Sequence, residues 1–181
     1  MNYKANLRKL TLKTLEDLAE IEGKIKALEA DKQNYYKPTF DELMRKLNAE
    51  KEAIISSGKN QAEELLSLYE DQVKEAYRPK GSEMTDDVKV LEAFELTERE
   101  VKEMFDRYEG NVTMQRLVAQ YARKNGFSLP NGGSPEVMEA GFLDKGKSLH
   151  TYFLSALTTP EYGEVFKNDA NFATISAGIM E

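Results

Sequence analysis

The sequence predicts an all-α protein, on three observations. Apolar residues recur at helical spacing over long stretches. No alternating run is long enough to form a strand. Helix start and stop signals recur along the whole chain. Two architectures follow one another. Residues 1–80 read as a long antiparallel helical hairpin with coiled-coil-like spacing. Residues 81–181 read as a compact bundle of short helices. Apolar residues make up 40% of the chain and charged residues 31%, a mixture that suits amphipathic helices with broad solvated faces.

The first helix is expected over roughly the first 36 residues. Leu18, Ile21, Ile25 and Leu28 follow one another at spacings of three, four and three. Leu7, Thr14, Ile21, Leu28 and Tyr35 form a seven-residue repeat along the same stripe. Gly23 interrupts the stripe's neighbourhood, costing about 1 kcal/mol of helix propensity while giving room for a neighbouring helix. Lys37-Pro38 ends this helix, because a residue before proline avoids the helical region. Thr39 with Glu42 then forms a capping box for a second helix over about 40–77. Phe40, Leu43, Leu47 and Ile54 mark its first buried stripe. Ala62, Leu65, Tyr69, Val73 and Ala76 mark its second. The stripe changes phase across Ser56-Ser57-Gly58, which predicts a kink or a short break. The connection is short, so the two helices are antiparallel neighbours. Leu18, Ile21, Ile25 and Leu28 are expected to pack against Leu43, Leu47 and Ile54.

Arg78-Pro79-Lys80-Gly81-Ser82 combines the residues that stop helices and is the expected domain boundary. Beyond it, Asp86 or Asp87 opens a helix that runs to Phe94. Thr97 with Glu100 caps another, which carries Val101, Met104, Phe105 and Tyr108 on one face. Gly110 stops it, Asn111 starts the next, and Asn125-Gly126 closes that one. Ser128 to Ser134 is a loop. Ser134-Pro135-Glu136 and Thr159-Pro160-Glu161 are both strong helix starts. The first of these helices is expected to reach Leu157, weakened by Gly141 and Gly146. The tail, with Val165, Phe166, Phe172, Ile175 and Ile179, is moderately apolar, which is compatible either with docking or with a loose, mobile tail.

Charge and residue usage exclude several function classes. Net charge is −7, carried by the second half: residues 1–80 hold 15 basic and 15 acidic side chains, and residues 81–181 hold 10 and 17. An acidic C-terminal half disfavours non-specific nucleic-acid binding, which needs clustered Lys and Arg. Cys is absent, so there is neither a disulfide framework nor thiolate chemistry, and a reducing compartment is the natural setting. The N-terminal stretch is basic with no apolar run behind it, unlike a signal peptide, and no window is apolar enough to span a membrane. The expected location is the cytoplasm, or a virion.

Candidate chemistry is sparse. His150 is the one histidine; alone, it reads as a helix-surface or interface residue rather than a general base, and too few zinc ligands accompany it. The acid pairs Glu16-Asp17, Asp41-Glu42, Glu63-Glu64, Glu70-Asp71 and Asp86-Asp87 all lie in charged helical surroundings and read as solvated faces. Asn168-Asp169-Ala170-Asn171 lacks the remaining positions of a calcium loop. Asn131-Gly132-Gly133-Ser134 precedes a helix, like an anion-binding turn, but lacks the Lys-Ser/Thr of a phosphate loop. No catalytic residue, cofactor, metal or small-molecule substrate is therefore assigned. Residues 97–127 have the spacing of a helix-turn-helix, with Arg116, Arg123 and Lys124 on the second helix as candidate nucleic-acid contacts. The first helix, carrying Glu98, Glu100, Glu103, Asp106 and Glu109, would repel phosphate.

The same segment carries a resemblance. Leu96-Thr97-Glu98-Arg99-Glu100-Val101, Tyr108-Glu109-Gly110-Asn111-Val112-Thr113-Met114 and Tyr121-Ala122-Arg123-Lys124-Asn125-Gly126 resemble segments in structural-region proteins of tailed phages and prophages of Gram-positive bacteria. The charged N-terminal hairpin is similar in style to their scaffold and minor structural proteins. The resemblance covers about a third of the chain and implies a small, non-enzymatic protein of virion assembly, without implying a role for any single residue. The expectation is an interaction protein with protein partners, forming a homo-oligomer. A DNA-binding regulator using residues 97–127 is the alternative.

Overall fold

The computed structural model describes residues 2–129 and 133–180. The described residues form helices and turns, with no strand among them. Eight α-helices follow in order: α1 (Tyr3–Ala30), α2 (Lys37–Ala76), α3 (Val88–Ala93), α4 (Glu98–Arg107), α5 (Val112–Asn125), α6 (Pro135–Ala156), α7 (Pro160–Lys167) and α8 (Asp169–Ile175). None is long and apolar enough to cross a membrane. The chain divides into two compact units, residues 1–69 with 145–181, and residues 70–144. The expected boundary at Arg78–Ser82 falls inside the second unit, and α2 and α6 each contribute to both units.

In the first unit, α1 and α2 form the expected antiparallel hairpin. Four contacts fix its register. The Tyr3 and Tyr69 rings stack at 4.6 Å. A Cβ on Gly58 would stand 3.1 Å from Thr14 Cγ2. Lys51 Nζ donates to Glu22 at 2.6 Å. Lys32 Nζ lies 5.4 Å from the centre of the Phe40 ring. The two residue numbers in each pair sum to 72 or 73, so one constant register runs the length of the hairpin.

The heptad positions Leu7, Thr14, Ile21 and Leu28 are buried, and Thr11 is buried with them. The two threonines tolerate burial because each hydroxyl donates to the carbonyl one turn back, Thr11 to Leu7 at 2.7 Å and Thr14 to Leu10 at 2.9 Å. The helix stops at Ala30, short of the expected residue 36. A 3-10 turn follows at Lys32–Asn34, with the Asn34 amide held by Asp31. Tyr35 therefore leaves the stripe and is exposed, as is Tyr36.

α2 starts at Lys37, which puts Thr39 inside the helix instead of at its cap. Proline is compatible with the first turn, where its missing N–H has no partner to lose. α2 then runs without interruption through Ser56-Ser57-Gly58, where a break was expected. Gly58 is there for packing: it is buried against Thr14 and Phe153. Gly23, by contrast, has no neighbour within 4 Å of where its Cβ would stand. Ala62, Tyr69 and Val73 of the second stripe are buried, but Ala76 is exposed.

The last 37 residues of the chain close the unit. Phe153, Phe166 and Leu149 are fully buried, and the tail docks through Phe172 and Ile179. Gly163 of α7 meets Leu15, and the Arg8 guanidinium donates to the Phe166 carbonyl at 2.8 Å while covering the Phe172 ring. The Met180 amide donates to the Tyr69 hydroxyl at 3.2 Å.

The second unit is built on the α4–α5 pair. Thr97 and Glu100 form the expected reciprocal capping box. The Asn111 side chain accepts from the Met114 amide and donates to the Glu83 carbonyl. Gly126, with φ of +72°, ends α5, and the Phe127 amide bonds back to Ala122 in a Schellman turn. Val101, Met104, Phe105, Val118, Ala119 and Ala122 form the core, with Val90 and Leu91 of α3 packed against it.

Candidate interaction surface

The C-terminal helices meet the hairpin at Tyr3, Arg8, Leu15, Gly58 and Tyr69. Beyond that stretch, over roughly residues 19–57, burial is partial: Ile21, Leu28 and Phe40 are buried, and the other apolar residues keep some exposure. The constant register sets Leu18 level with Ile54, and Ile25 level with Leu47. Of the seven residues expected to form the seam, Leu18, Ile21 and Leu28 are buried. Ile25, Leu43, Leu47 and Ile54 are only half-buried, with Met44 and Ile55 beside them in the same condition. Two helices enclose only the facing sides of their apolar stripes, so these side chains keep an outer edge in water. The tip adds Tyr36, 77% exposed. The arm thus carries a row of aligned, incompletely covered apolar residues.

Its charges are arranged in levels along the register, all in water except the half-buried Glu22 and Lys51. Nearest the body is an acidic level, Glu20, Glu22, Glu50 and Glu52 around Lys51. Next comes a basic level of Lys24, Lys26, Arg45 and Lys46. Then follow acidic Glu29, Asp31, Asp41 and Glu42, and at the tip Lys32 and Lys37. Neighbouring levels are joined by Lys24–Glu20 and Lys46–Glu42 ion pairs, both 2.7 Å. Hydrogen bonds from Lys24, Lys46 and Lys51 hold the carboxyls of Glu20, Glu42 and Glu22 below the usual carboxylate range. Such exposed pairs contribute little to stability.

The three candidate nucleic-acid cations do not form one surface. Arg116 is mostly covered and engaged: it donates to Glu139 at 2.6 Å, to Glu136 at 3.3 Å and to the Tyr77 carbonyl at 3.0 Å. Arg123 and Lys124 are exposed in the last turn of α5. The structural task of Arg116 was not visible in sequence, since its two carboxylates lie twenty residues and more away.

His150 is buried in the first unit, 6.4 Å from the Phe153 ring, and its Nε2 has no hydrogen-bond partner among the described residues. Burial pushes the imidazole below its ordinary value of 6.5, and the nearby Glu63 charge partly opposes this. Ser134 stands at the expected start of α6, its carbonyl accepting from the Val137 and Met138 amides, while its hydroxyl is buried without a partner among the described residues. Asn131 and Gly132 of the glycine-rich turn lie outside the described residues. No group of three or more His, Asp or Glu side chains among the described residues is placed to hold a metal ion. Comparison with protein-family models, curated proteins and solved structures finds no match for this chain.

Proposed function

We propose that this is a non-enzymatic interaction protein that works through helical protein–protein contacts, with the α1–α2 arm as its working surface. The observation that carries the reading is the arm's half-covered stripe: Ile25, Leu43, Leu47 and Ile54 are aligned for packing and incompletely packed. A partner helix laid along the stripe would complete it. A role in virion assembly is the most specific form of the proposal, and it rests on the phage-like segments within 96–126 together with the charged hairpin. The DNA-binding alternative is disfavoured, because Arg116 is already engaged by two carboxylates and α4 presents an acidic face.

The test is a photoreactive amino acid at Leu47 or Tyr36, with Lys167 as a control position, in a cell that expresses the protein naturally. The expected result is a covalent protein adduct at the two arm positions and not at the control. Adducts to nucleic acid, or none at either arm position, would contradict the proposal.

A further inference from the structure

Resting on that reading, we propose that the arm's occupant is the arm of a second copy of this chain, laid antiparallel to it. Charge complementarity along the arm favours this pairing. From body to tip the levels run acidic, basic, acidic, basic. If two arms pair antiparallel with overlapping lengths, the basic level of Lys24, Lys26, Arg45 and Lys46 faces the acidic level of Glu29, Asp31, Asp41 and Glu42. By the two-fold symmetry the reverse also holds. The acidic level at Glu20, Glu22, Glu50 and Glu52 then faces Lys32 and Lys37 at the partner's tip. Every level meets its opposite. A parallel, in-register pair would set each level against itself, and like charges in apposition oppose association.

Length agrees as well. In the antiparallel overlap each tip ends level with Glu20 and Glu52, just short of the body, where α7 meets the hairpin at Leu15 and α6 meets it at Gly58. The half-buried stripes of the two arms together supply four helices around one apolar core, the arrangement in which such stripes are fully covered. Opposite charges flanking a shared core set orientation and register, as in coiled coils. The pairing is isologous and closed, so it gives a dimer and not a filament.

Charge-reversed variants of the full chain test this. Variant one carries Lys24→Glu, Lys26→Glu, Arg45→Glu and Lys46→Glu, which makes both central levels acidic. Variant two carries Glu29→Lys, Asp31→Lys, Asp41→Lys and Glu42→Lys, which makes both basic. Sedimentation at low ionic strength should show the wild type at twice 20.6 kDa. Each variant alone should associate at least about a hundredfold more weakly. An equimolar mixture of the two should restore the dimer.

Orientation is read separately by a spin label at Tyr36→Cys, the only thiol in the molecule. Antiparallel arms hold the two labels about 24 Å apart, the length of some sixteen helical residues. A wild type that stays at 20.6 kDa, variants that dimerise unaided, a mixture that fails to dimerise, or labels in contact would each overturn the proposal. A monomer whose Leu47 position still cross-links to another protein would overturn the second copy as occupant while leaving the interaction role standing.

Discussion

The backbone of Gly146 lies against Tyr69 so closely that a Cβ at position 146 would stand 2.5 Å from Tyr69 Cε1, while the same ring stacks on Tyr3 and the Tyr3 hydroxyl donates to the Gly146 carbonyl at 3.2 Å. One glycine thus joins α6 to both helices of the hairpin. Gly146→Ala must displace a fully buried ring and is expected to destabilise by about 1–3 kcal/mol, despite alanine's better helix propensity. Gly141→Ala, five residues earlier in the same helix with nothing within 4 Å, is expected to stabilise by up to about 1 kcal/mol. Chemical denaturation of the two variants measures both signs.

Burial grades the stripe and predicts graded costs. Leu7 is fully buried and Leu47 only half-buried. Leu7→Ala should cost about 2–5 kcal/mol. Leu47→Ala, measured in dilute protein, should cost clearly less, because part of its surface is already in water. Equal losses would show that the arm is packed as tightly as the body.

Arg116, Arg123 and Lys124 should separate by stability. Arg116→Ser leaves Glu136 and Glu139 without their shared partner and should cost about 1–3 kcal/mol. Arg123→Ser and Lys124→Ser, at exposed positions, should each change stability by less than about 0.5 kcal/mol. Thermal unfolding of the three single variants decides this.

His150 predicts a pH dependence. Its folded-state pKa lies below the unfolded value near 6.5, so the unfolded chain binds the proton more readily. Above that value the imidazole is neutral in both states and contributes nothing. As pH falls through it, stability should drop. His150→Gln should flatten that part of the profile relative to wild type between about pH 7 and 5. The difference between the two curves reports the contribution of residue 150.

What was legible in the sequence was local. The capping box at Thr97 and Glu100, the Asn111 cap and the Gly126 stop each depend on residues within one turn, and all three form. The heptad positions Leu7 to Leu28 were legible for the same reason. Gly58 and Gly146 were misread as helix-weakening positions because their role is set by Thr14, Phe153 and Tyr69, far away in the chain. The bounds of the two units were hidden likewise, since they depend on the end of α6 returning to the hairpin. The seven residues expected at the seam were chosen by periodicity, but periodicity does not report how many helices surround a stripe. That four of them are only half-covered could be seen only in three dimensions.

Amide hydrogen exchange at two protein concentrations tests most directly whether the arm is a surface awaiting cover. In dilute protein the amides of residues 19–32 and 40–55 should exchange faster than those of residues 7–18 and 58–69. Raising the concentration, or adding the bound partner, should slow the arm and leave the body unchanged. Arm amides as protected as the body in dilute protein, with no change on concentration or partner addition, would contradict it.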